Sequence, residues 1–106
     1  MKSTESLPQS LRYFGSFDSK HLPLVPQDPI SKAEAEHRKA YYTAYYDENR
    51  RLGRFQKYLD GKPAWKVEYV YWGNGKTKTR LTTGADGFQQ IEEFDRQGRR
   101  SLKQIN

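Results

Sequence analysis

The fold is decided by the stretch AWKVEYVYWGNGKTKTRLT, residues 64–82. Two runs rich in aromatic, β-branched and threonine residues flank Asn74-Gly75, an arrangement typical of two antiparallel strands joined by a hairpin turn. Because successive side chains of a strand point to opposite faces, every second residue of the first run should lie on one face of a sheet. Those residues are apolar: Trp65, Val67, Tyr69 and Tyr71.

The length of the turn decides which side chains meet across this hairpin. A two-residue loop would place Lys78 and Arg80 among the aromatic side chains of the first run. A three-residue loop, Gly73-Asn74-Gly75 with a left-handed Gly75, gives a mostly apolar face instead and is preferred. It predicts three cross-strand pairs and one favourable charge pair: Tyr71 with Thr77, Tyr69 with Thr79, Val67 with Leu81, and Glu68 with Arg80.

Comparable runs of β-forming residues lie on both sides of this hairpin, each bounded by turn residues. They predict a mainly β fold, α+β at the margin, in which six antiparallel strands form an up-and-down meander. The predicted strands are Tyr41 to Tyr46, Leu52 to Leu59, Ala64 to Trp72, Lys76 to Thr82, Phe88 to Phe94, and Arg99 to Ile105. Glycines at 61, 75, 87 and 98 recur at hairpin-sized spacing, which suggests a degenerate repeat.

Three-residue turns are also predicted at both ends of the second strand, at Glu48-Asn49-Arg50 and at Leu59-Asp60-Gly61. They predict these pairs: Asp47 with Arg51, Thr43 with Phe55, and Phe55 with Trp65. A slip of one residue would exchange the two faces of a strand, so these pairs define an inner face. Its predicted members are Tyr41, Thr43, Tyr45, Phe55, Leu59, Trp65, Val67, Tyr69, Tyr71 and Leu81.

The first part of the chain carries different signals. Residues 1–12 are polar and predict a flexible tail, and the single domain should span residues 13–106. Prolines at every third position predict an extended Pro-rich arm over 13–30, which either serves as a docking ligand or lies on the protein's own core. Ser31-Lys32-Ala33-Glu34 fits a capping box and predicts one short helix, 31–39, before the β-meander of 40–105.

Composition limits the kinds of protein that this chain can be. With 106 residues it is long enough for one modest core, and 14% aromatic residues favour folding despite 30% charged residues. No apolar run has the roughly 18 residues that a membrane span needs, and the first residues lack the apolar region of a signal peptide. We therefore expect a soluble, cytoplasmic protein without membrane contact.

Cations and aromatic rings alternate on the predicted outer face. This composition is typical of surfaces that bind proteins or nucleic acids, since rings offer contact area and cations attract acidic groups. The alternative is a solvated face on which lysines discourage edge pairing. The candidate partner-binding residues are Tyr42, Arg54, Lys66, Val70, Trp72, Lys76, Lys78 and Arg80, with Tyr46 on the same face.

The hairpin segments resemble a known kind of repeat. Tyr46-Asp47-Glu48-Asn49-Arg50-Arg51 and Phe94-Asp95-Arg96-Gln97-Gly98-Arg99, with Tyr58-Leu59-Asp60-Gly61-Lys62 and Tyr71-Trp72-Gly73-Asn74-Gly75-Lys76 between them, resemble bacterial MORN-like repeats, which are often described as antitoxin-like. The chain as a whole is similar to short bacterial proteins of unknown function. The resemblance implies a meander of hairpins used for binding, and it carries no catalytic residues.

Motifs for chemistry are missing from the sequence. It has no cysteine and only two histidines, His21 and His37, and neither lies at a metal-ligand spacing. Adjacent Glu92 and Glu93 would point to opposite faces of a strand, and Gly73-Asn74-Gly75-Lys76 is a hairpin turn that opens no helix. We therefore expect no enzyme activity, no catalytic residues, no metal and no cofactor.

Two main functions remain open, and a structural subunit of a larger assembly is a third possibility. The first is a small bacterial protein-binding module, an immunity-like, inhibitory or regulatory partner that contacts another protein with an acidic surface. The second is binding of single-stranded nucleic acid, which the net charge of +6 and the exposed rings favour. Free edges on the Tyr41 strand and on the C-terminal strand would allow an edge-paired homodimer as well as a monomer.

Overall fold

A computed structural model describes residues 10–101, which form one antiparallel sheet of seven strands and one short helix. The elements are β1 (Ser10–Asp18), β2 (Val25–Ile30), α1 (Lys32–Glu36), β3 (Ala40–Tyr46), β4 (Leu52–Leu59), β5 (Lys62–Tyr71), β6 (Thr77–Thr83) and β7 (Gln89–Glu93). The mainly β antiparallel prediction is confirmed, but the count of six strands is wrong. In the sheet the strands lie in the order β2-β1-β3-β4-β5-β6-β7.

The two additional strands come from the segment that we expected to be a tail and an extended arm. Residues 10–12 belong to β1, so the predicted tail is wrong there, and residues 1–9 lie outside the described part. Most of 13–30 forms the β1–β2 hairpin, in which β2 accommodates Pro26 and Pro29 because it is an edge strand. Since β1 pairs with β3, the predicted free edge on the Tyr41 strand is also wrong.

Strand pairing at the C-terminal end is described only in part. Phe94 forms an isolated antiparallel bridge with Arg100, and the Ser101 amide donates to the Glu93 carbonyl at 2.7 Å. The predicted strand from Arg99 to Ile105 therefore begins beside the end of β7. Its remainder, residues 102–105, lies outside the described residues.

The helix begins where the capping box predicts it. Ser31 is the N-cap, and its hydroxyl accepts a hydrogen bond from the Glu34 amide at 3.0 Å. The Glu34 carboxylate does not complete the box, because it binds the Arg38 guanidinium at 2.9 Å. The helix ends at Glu36 with His37 as its C-cap, earlier than the predicted 31–39, because the amides of His37 and Arg38 form shorter three-residue hydrogen bonds.

Four loops share one backbone pattern, which gives the predicted repeat a structural basis. In each loop, the amide of the first residue donates to the carbonyl of the fifth residue. The amide of the fourth residue donates to the carbonyl of the first residue. The fourth residue is left-handed in every case, with φ between 62° and 90°. The loops, with this residue, are 47–51 (Arg50), 72–76 (Gly75), 84–88 (Gly87) and 95–99 (Gly98).

A β-bulge next to the first of these loops changes the predicted faces of β3. Asp47 and Arg51 are hydrogen-bonded as predicted, but the register shifts between Tyr45 and Tyr46 and leaves Gly53 as an additional residue. Phe55 therefore lies opposite Ala44, and the predicted pairing with Thr43 is wrong. As a result Tyr42 faces the core, whereas Tyr41, Thr43 and Tyr45 lie on the other face.

Bulges also shift the strand register of the two following hairpins away from the predicted one. The β4–β5 loop has two residues, Asp60 and Gly61, both with positive φ, and a later shift leaves Ala64 as the additional residue. In the β5–β6 hairpin the predicted first pair is confirmed, and a shift then leaves Lys78 as the additional residue. The observed pairs are Phe55 with Val67, Tyr71 with Thr77, Tyr69 with Arg80, Val67 with Thr82, and Glu68 with Leu81. Four predicted pairs are therefore wrong: Phe55–Trp65, Tyr69–Thr79, Val67–Leu81 and Glu68–Arg80.

The core lies on one face of the sheet, which we call the core face. Leu24, from the connection between β1 and β2, covers it, and the Leu24 amide donates to the Tyr69 hydroxyl at 3.2 Å. This part of the predicted arm thus lies on the protein's own core. The buried members are Phe14, Leu24, Ala44, Leu52, Phe55, Val67 and Tyr69, with Phe17, Tyr42, Tyr46, Trp65 and Tyr71 packed around them. Of the predicted inner residues, Leu59 is exposed and Leu81 lies on the opposite, second face.

Candidate functional site

The predicted partner-binding residues do not form one surface, because the bulges distribute them over three places. Tyr42 and Arg80 lie on the core face, where Tyr42 stacks on Phe55 with ring centres 5.3 Å apart. Tyr46, which we expected beside them on the outer face, also packs against the core. The second face carries Arg54, Lys66 and Val70, and the loop 72–76 with the start of β6 carries Trp72, Lys76 and Lys78.

Arg80 is engaged by a carboxylate within the sheet. Its guanidinium donates two hydrogen bonds to Glu92, at 2.7 and 2.9 Å. These bonds lower the pKa of the Glu92 carboxyl, against the effect of burial, and they raise the pKa of Arg80. Because both side chains are mostly buried, Arg80 is a structural residue of the core face rather than a cation available to a partner.

The second face has exposed apolar area but no excess of positive charge. The Arg54 guanidinium lies over the Tyr45 ring, 5.3 Å from its centre, and Lys66 lies 3.9 Å from the Glu68 carboxylate. Val70 is 53% exposed. Cations on this face therefore have neighbours within the protein, and the sequence-based description of a basic sheet face does not fit it.

Trp72 lies between two cations that come from different hairpins. The Lys78 ammonium is 4.9 Å and the Arg96 guanidinium carbon 4.3 Å from the centre of the ring. The indole nitrogen donates to the Phe94 carbonyl at 3.2 Å, which fixes the orientation of the ring. Cation–π attraction of this kind holds both cations near the half-buried indole without neutralising their charge.

The loops 72–76 and 95–99 are held against each other. The Asn74 side-chain amide donates to the Arg96 carbonyl at 2.9 Å. Within the second loop, the Asp95 carboxylate accepts hydrogen bonds from the amides of Gln97 and Arg99, and these bonds lower the pKa of Asp95. The cations on both loops are therefore carried on backbone that is already ordered by hydrogen bonds.

The loop 47–51 lies at the same end of the sheet. An Arg51 guanidinium nitrogen is about 4 Å from the position that a side chain on Gly75 would take, and Arg51 lies over the Tyr71 ring at 5.2 Å. The Tyr71 hydroxyl donates to the Leu52 carbonyl at 2.6 Å, and burial raises the pKa of Tyr71. Three of the four repeated loops thus meet at one end of the strands.

This end of the sheet, which we call the basic end, concentrates positive charge. Its carboxylates are Asp47, Glu48 and Asp95, and both aspartates are occupied by backbone amides of their own loops. At the opposite end, the loops 59–62 and 84–88 carry two aspartates, Asp60 and Asp86, and one lysine, Lys62, and Lys39 lies beside them, since its carbonyl accepts from the Asp60 amide at 2.7 Å. Among residues 10–101 the cations of the basic end are Arg50, Arg51, Lys76, Lys78, Arg96, Arg99 and Arg100, of which Arg100 contacts the Glu92 carboxylate at 3.5 Å.

Sequence reasoning identified part of the basic end and missed the rest. Trp72, Lys76 and Lys78 were predicted as partner-binding residues from the β5–β6 hairpin alone. The contribution of Arg96 was missed because it lies 24 residues from Trp72 in the chain, and only the pairing of β6 with β7 brings the two together. The repeated loop pattern was a signal that could have revealed it, since alternate hairpin loops lie at the same end of a meander.

Other kinds of site have no counterpart in residues 10–101. Within that range no three His, Asp or Glu side chains are grouped closely enough to hold a metal ion. The helix there is too short and too polar to cross a membrane.

Comparison with known proteins gives one match. A model of a family of unknown function (DUF6156) matches residues 6–103, which is nearly the whole chain. No curated protein and no solved structure matches the chain. The comparisons thus give neither a substrate nor a partner, and the function has to be argued from the geometry of the chain itself.

Proposed function

Since the chain belongs to a family of unknown function (DUF6156), we propose its function from the geometry of the basic end: it is a non-enzymatic module that binds an acidic surface on another protein. The observation that carries this proposal is the concentration of cations around Trp72, on three loops from different hairpins. Such a surface attracts acidic groups from a distance, and its aromatic ring supplies contact area at close range.

Three cations on the loops 72–76 and 95–99 and at the start of β6 are available to a partner. Lys76, Lys78 and Arg96 have no carboxylate within salt-bridge distance among the described residues, whereas Arg99 contacts Asp95 at 3.4 Å. An unpaired, exposed cation can bind a partner carboxylate without the free-energy cost of breaking an ion pair within the protein. Charge complementarity with an acidic protein would therefore be concentrated on these three side chains.

Trp72 supports the proposal through its position and its chemical type. Tryptophan and arginine are over-represented among the residues that dominate binding energies at protein interfaces, and such residues lie near the centre of the contact. Hydrogen bonding to Phe94 holds the indole in place before any partner arrives. A preordered anchor lowers the entropic cost of association, so a small surface can bind usefully.

The biological role that fits a binding module of this kind is an immunity-like, inhibitory or regulatory partner in a bacterial cytoplasm. The sequence resemblance to MORN-like, antitoxin-type repeats is what suggests this role; three of its four segments contain loops that share one backbone pattern, 47–51, 72–76 and 95–99, and the fourth, at Asp60-Gly61, does not. Both the role and the compartment are part of the proposal.

Single-stranded nucleic acid is the alternative partner, and the geometry of Trp72 disfavours it. Nonspecific strand binding relies on bases that stack on exposed aromatic rings. Here Lys78 and Arg96 already lie over the Trp72 ring, so a base would have to displace a cation that also attracts the phosphates. The positive charge alone would give weak, strongly salt-dependent retention of nucleic acid.

A capture experiment with matched charge reversals tests the proposal. Tagged wild type, the double variant Lys76→Glu/Arg96→Glu and the control Lys20→Glu/Lys62→Glu are incubated with lysate of the source organism, and bound proteins are quantified by mass spectrometry. Both variants change the net charge equally, but only the first changes the basic end. We expect proteins of low isoelectric point to be retained by wild type and control and lost, by at least about tenfold, from the first variant.

The nucleic-acid alternative is tested on the same three proteins with a labelled single-stranded oligonucleotide. Retention of the oligonucleotide at 150 mM salt that depends on Lys76 and Arg96 would favour nucleic acid as the partner. Equal protein capture by all three chains would show that the basic end is not a binding surface.

A further inference from the structure

A cleft lies on the core face, between the β1–β2 connection and the strands β5, β6 and β7. Phe17, near the end of β1, reaches across this face, and its ring centre lies 5.7 Å from that of Trp65 on β5. The cleft begins at this contact and continues over β6 and β7. Its volume is about 530 Å³, which is within the range of sites that bind small molecules.

One wall of the cleft is apolar. It is formed by Phe17 and Leu24 on one side and by Trp65 and Val67 of β5 on the other. Leu24 and Val67 are buried in the core, whereas the rings of Phe17 and Trp65 are only partly buried. Covering the exposed parts of these rings with another apolar group would release water and gain free energy.

The opposite wall is polar and comes from the last two strands. Arg80 and Thr82 of β6 and Glu92 of β7 line the cleft there. The Tyr69 hydroxyl, which accepts the hydrogen bond from the Leu24 amide, lies on β5 between the two walls. The cleft is therefore amphipathic from one wall to the other, and a ligand that fits it needs an apolar part and a polar part.

The charges at the polar wall are not balanced. Both oxygens of the Glu92 carboxylate are already bound by Arg80, at 2.7 and 2.9 Å. A second guanidinium, that of Arg100, contacts the same carboxylate at 3.5 Å. Among residues 10–101 neither arginine is within salt-bridge distance of another carboxylate, so two positive charges face one negative charge.

The uncompensated charge can be assigned to Arg100. The bond between Arg80 and Glu92 is the shorter one, and both of these side chains are mostly buried. The Arg100 side chain is 60% exposed, so it can turn toward an incoming anion while the internal pair stays intact. An anionic group that enters beside Glu92 would meet this cation at the rim of the polar wall.

We propose that the cleft binds a small organic acid, whose apolar body covers Phe17 and Trp65 and whose carboxylate binds Arg100. An inorganic anion would leave the apolar wall in water. A neutral apolar molecule would leave the Arg100 charge without a counter-charge. An amphipathic acid satisfies both walls, and a volume of about 530 Å³ excludes a folded partner.

This site goes beyond the proposed function and does not depend on it. None of the three cations that are available to an acidic protein, Lys76, Lys78 and Arg96, lines the cleft. The double variant Lys76→Glu/Arg96→Glu should therefore bind the acid nearly as well as wild type at 150 mM salt, where distant charges are screened. Failure of one proposal thus leaves the other testable.

Titration of isotope-labelled protein with naphthoate, followed by nuclear magnetic resonance, tests the cleft. The chain has two tryptophans, of which only Trp65 lines the cleft. The indole signal of Trp65 should therefore shift on binding, while that of Trp72 should stay in place. We expect a dissociation constant of about 1 mM or below for naphthoate. The neutral probe naphthamide has the same rings and should bind at least about fivefold more weakly.

Arg100→Gln and Arg99→Gln form a matched pair of variants. Each removes one cation at neighbouring positions, but only Arg100 contacts Glu92, whereas Arg99 contacts Asp95. Arg100→Gln should weaken naphthoate binding at least about threefold and leave naphthamide binding unchanged. Arg99→Gln should change neither, and circular dichroism checks that both variants are folded.

Four outcomes would overturn the proposal. The first is a Trp65 signal that stays in place at millimolar naphthoate, and the second is equal binding of the charged and the neutral probe. The third is an equal loss of affinity in Arg100→Gln and Arg99→Gln. The fourth is binding that appears only after removal of residues 102–106, which would show that the chain's own end occupies the cleft.

Discussion

Arg50 occupies the left-handed position of its loop, where the three equivalent loops carry glycine. Its φ is 62°, compared with 87° to 90° at Gly75, Gly87 and Gly98. A side chain in this region is strained by roughly 1 kcal/mol, and glycine is not. The loop 47–51 is therefore kept in shape by its hydrogen bonds, above all those to the Asp47 carboxylate.

We predict that Arg50→Gly stabilises the protein by about 0.5 kcal/mol, because the relief of strain exceeds the additional entropy of glycine in the unfolded chain. The change in unfolding free energy is measured by urea denaturation. The converse control is Gly87→Ala, whose added Cβ would meet no atom within 4 Å, and we expect a loss of about 1 kcal/mol there. A destabilised Arg50→Gly variant would contradict the prediction.

The ion pair between Arg80 and Glu92 makes stability depend on pH. The folded-state pKa of Glu92 is lowered, mainly by the hydrogen bond from Arg80. Its contribution is therefore fully present above the unfolded pKa, near 4.5, and is lost as pH falls through the lower folded value. Glu92→Gln should reduce the unfolding free energy by about 1–2 kcal/mol at pH 7.

Urea denaturation at pH 7 and at pH 3 measures this effect. The difference between wild type and Glu92→Gln should shrink at the lower pH, because pH 3 lies below the unfolded pKa of Glu92 and the contribution of its lowered folded pKa declines from there downward. Glu68→Gln is the matched control, because Glu68 makes only a 3.9 Å contact with Lys66 at the surface and should change stability little. An equal difference at both pH values would contradict the assignment.

At the scale of elements, bulges decide which residues the core receives. The additional residue Gly53 brings Ala44 and Tyr42 to the core face in place of Thr43 and Tyr45. Ala44 is completely buried beside Phe55, a position that a larger residue would overfill. β3 carries aromatic residues on both faces, and the bulge determines that the face with Tyr42 and Ala44 packs against the core.

We predict that deletion of Gly53 destabilises the protein by several kcal/mol, since it forces either the loop 47–51 or the pairing of Ala44 with Phe55 out of register. Thermal and urea denaturation report the loss, and amide exchange should locate it in β3 and β4. Gly53→Ala is the control: its Cβ would lie 3.5 Å from the Tyr45 carbonyl, an ordinary contact, so the variant should fold normally. A deletion variant as stable as the control would show that the bulge is dispensable.

Strand positions and turn chemistry were predictable from local sequence, but strand register was not. The turn at Gly73-Asn74-Gly75 and the pair Tyr71–Thr77 are as predicted, because a loop and its closing hydrogen bonds involve only neighbouring residues. The predicted strand pairs become wrong from Lys78 onward, one residue beyond that pair. A bulge costs little locally, and the packing of distant strands determines where it lies.

At the scale of the whole molecule, charge is polarised along the strands. The basic end carries an excess of positive charge from seven named cations, while the second face has no such excess and the opposite end carries two lysines, Lys39 and Lys62, against Asp60 and Asp86. Two surfaces of different charge result, the basic end and the second face. The net charge of +6 alone would not distinguish them.

We predict that Lys76→Glu/Arg96→Glu elutes from a cation-exchange column at clearly lower salt than Lys20→Glu/Lys62→Glu. The two variants have the same net charge, so a difference requires that the column surface contacts the basic end preferentially. The elution salt concentrations of both variants and of wild type give the result. Identical elution of the two variants would indicate that positive charge is spread evenly.

Local sequence was enough to predict the mainly antiparallel β architecture, five of the seven strands, the capped start of the helix and the turns at 48–50 and 73–75. These features depend on hydrogen bonds and side chains within a few residues of each other. Packing of distant segments determines that β1 lies between β2 and β3, where the bulges lie, and that Trp72 contacts Arg96. These features depend on contacts between segments that are distant in the sequence, and such contacts form only when the whole sheet packs around one core.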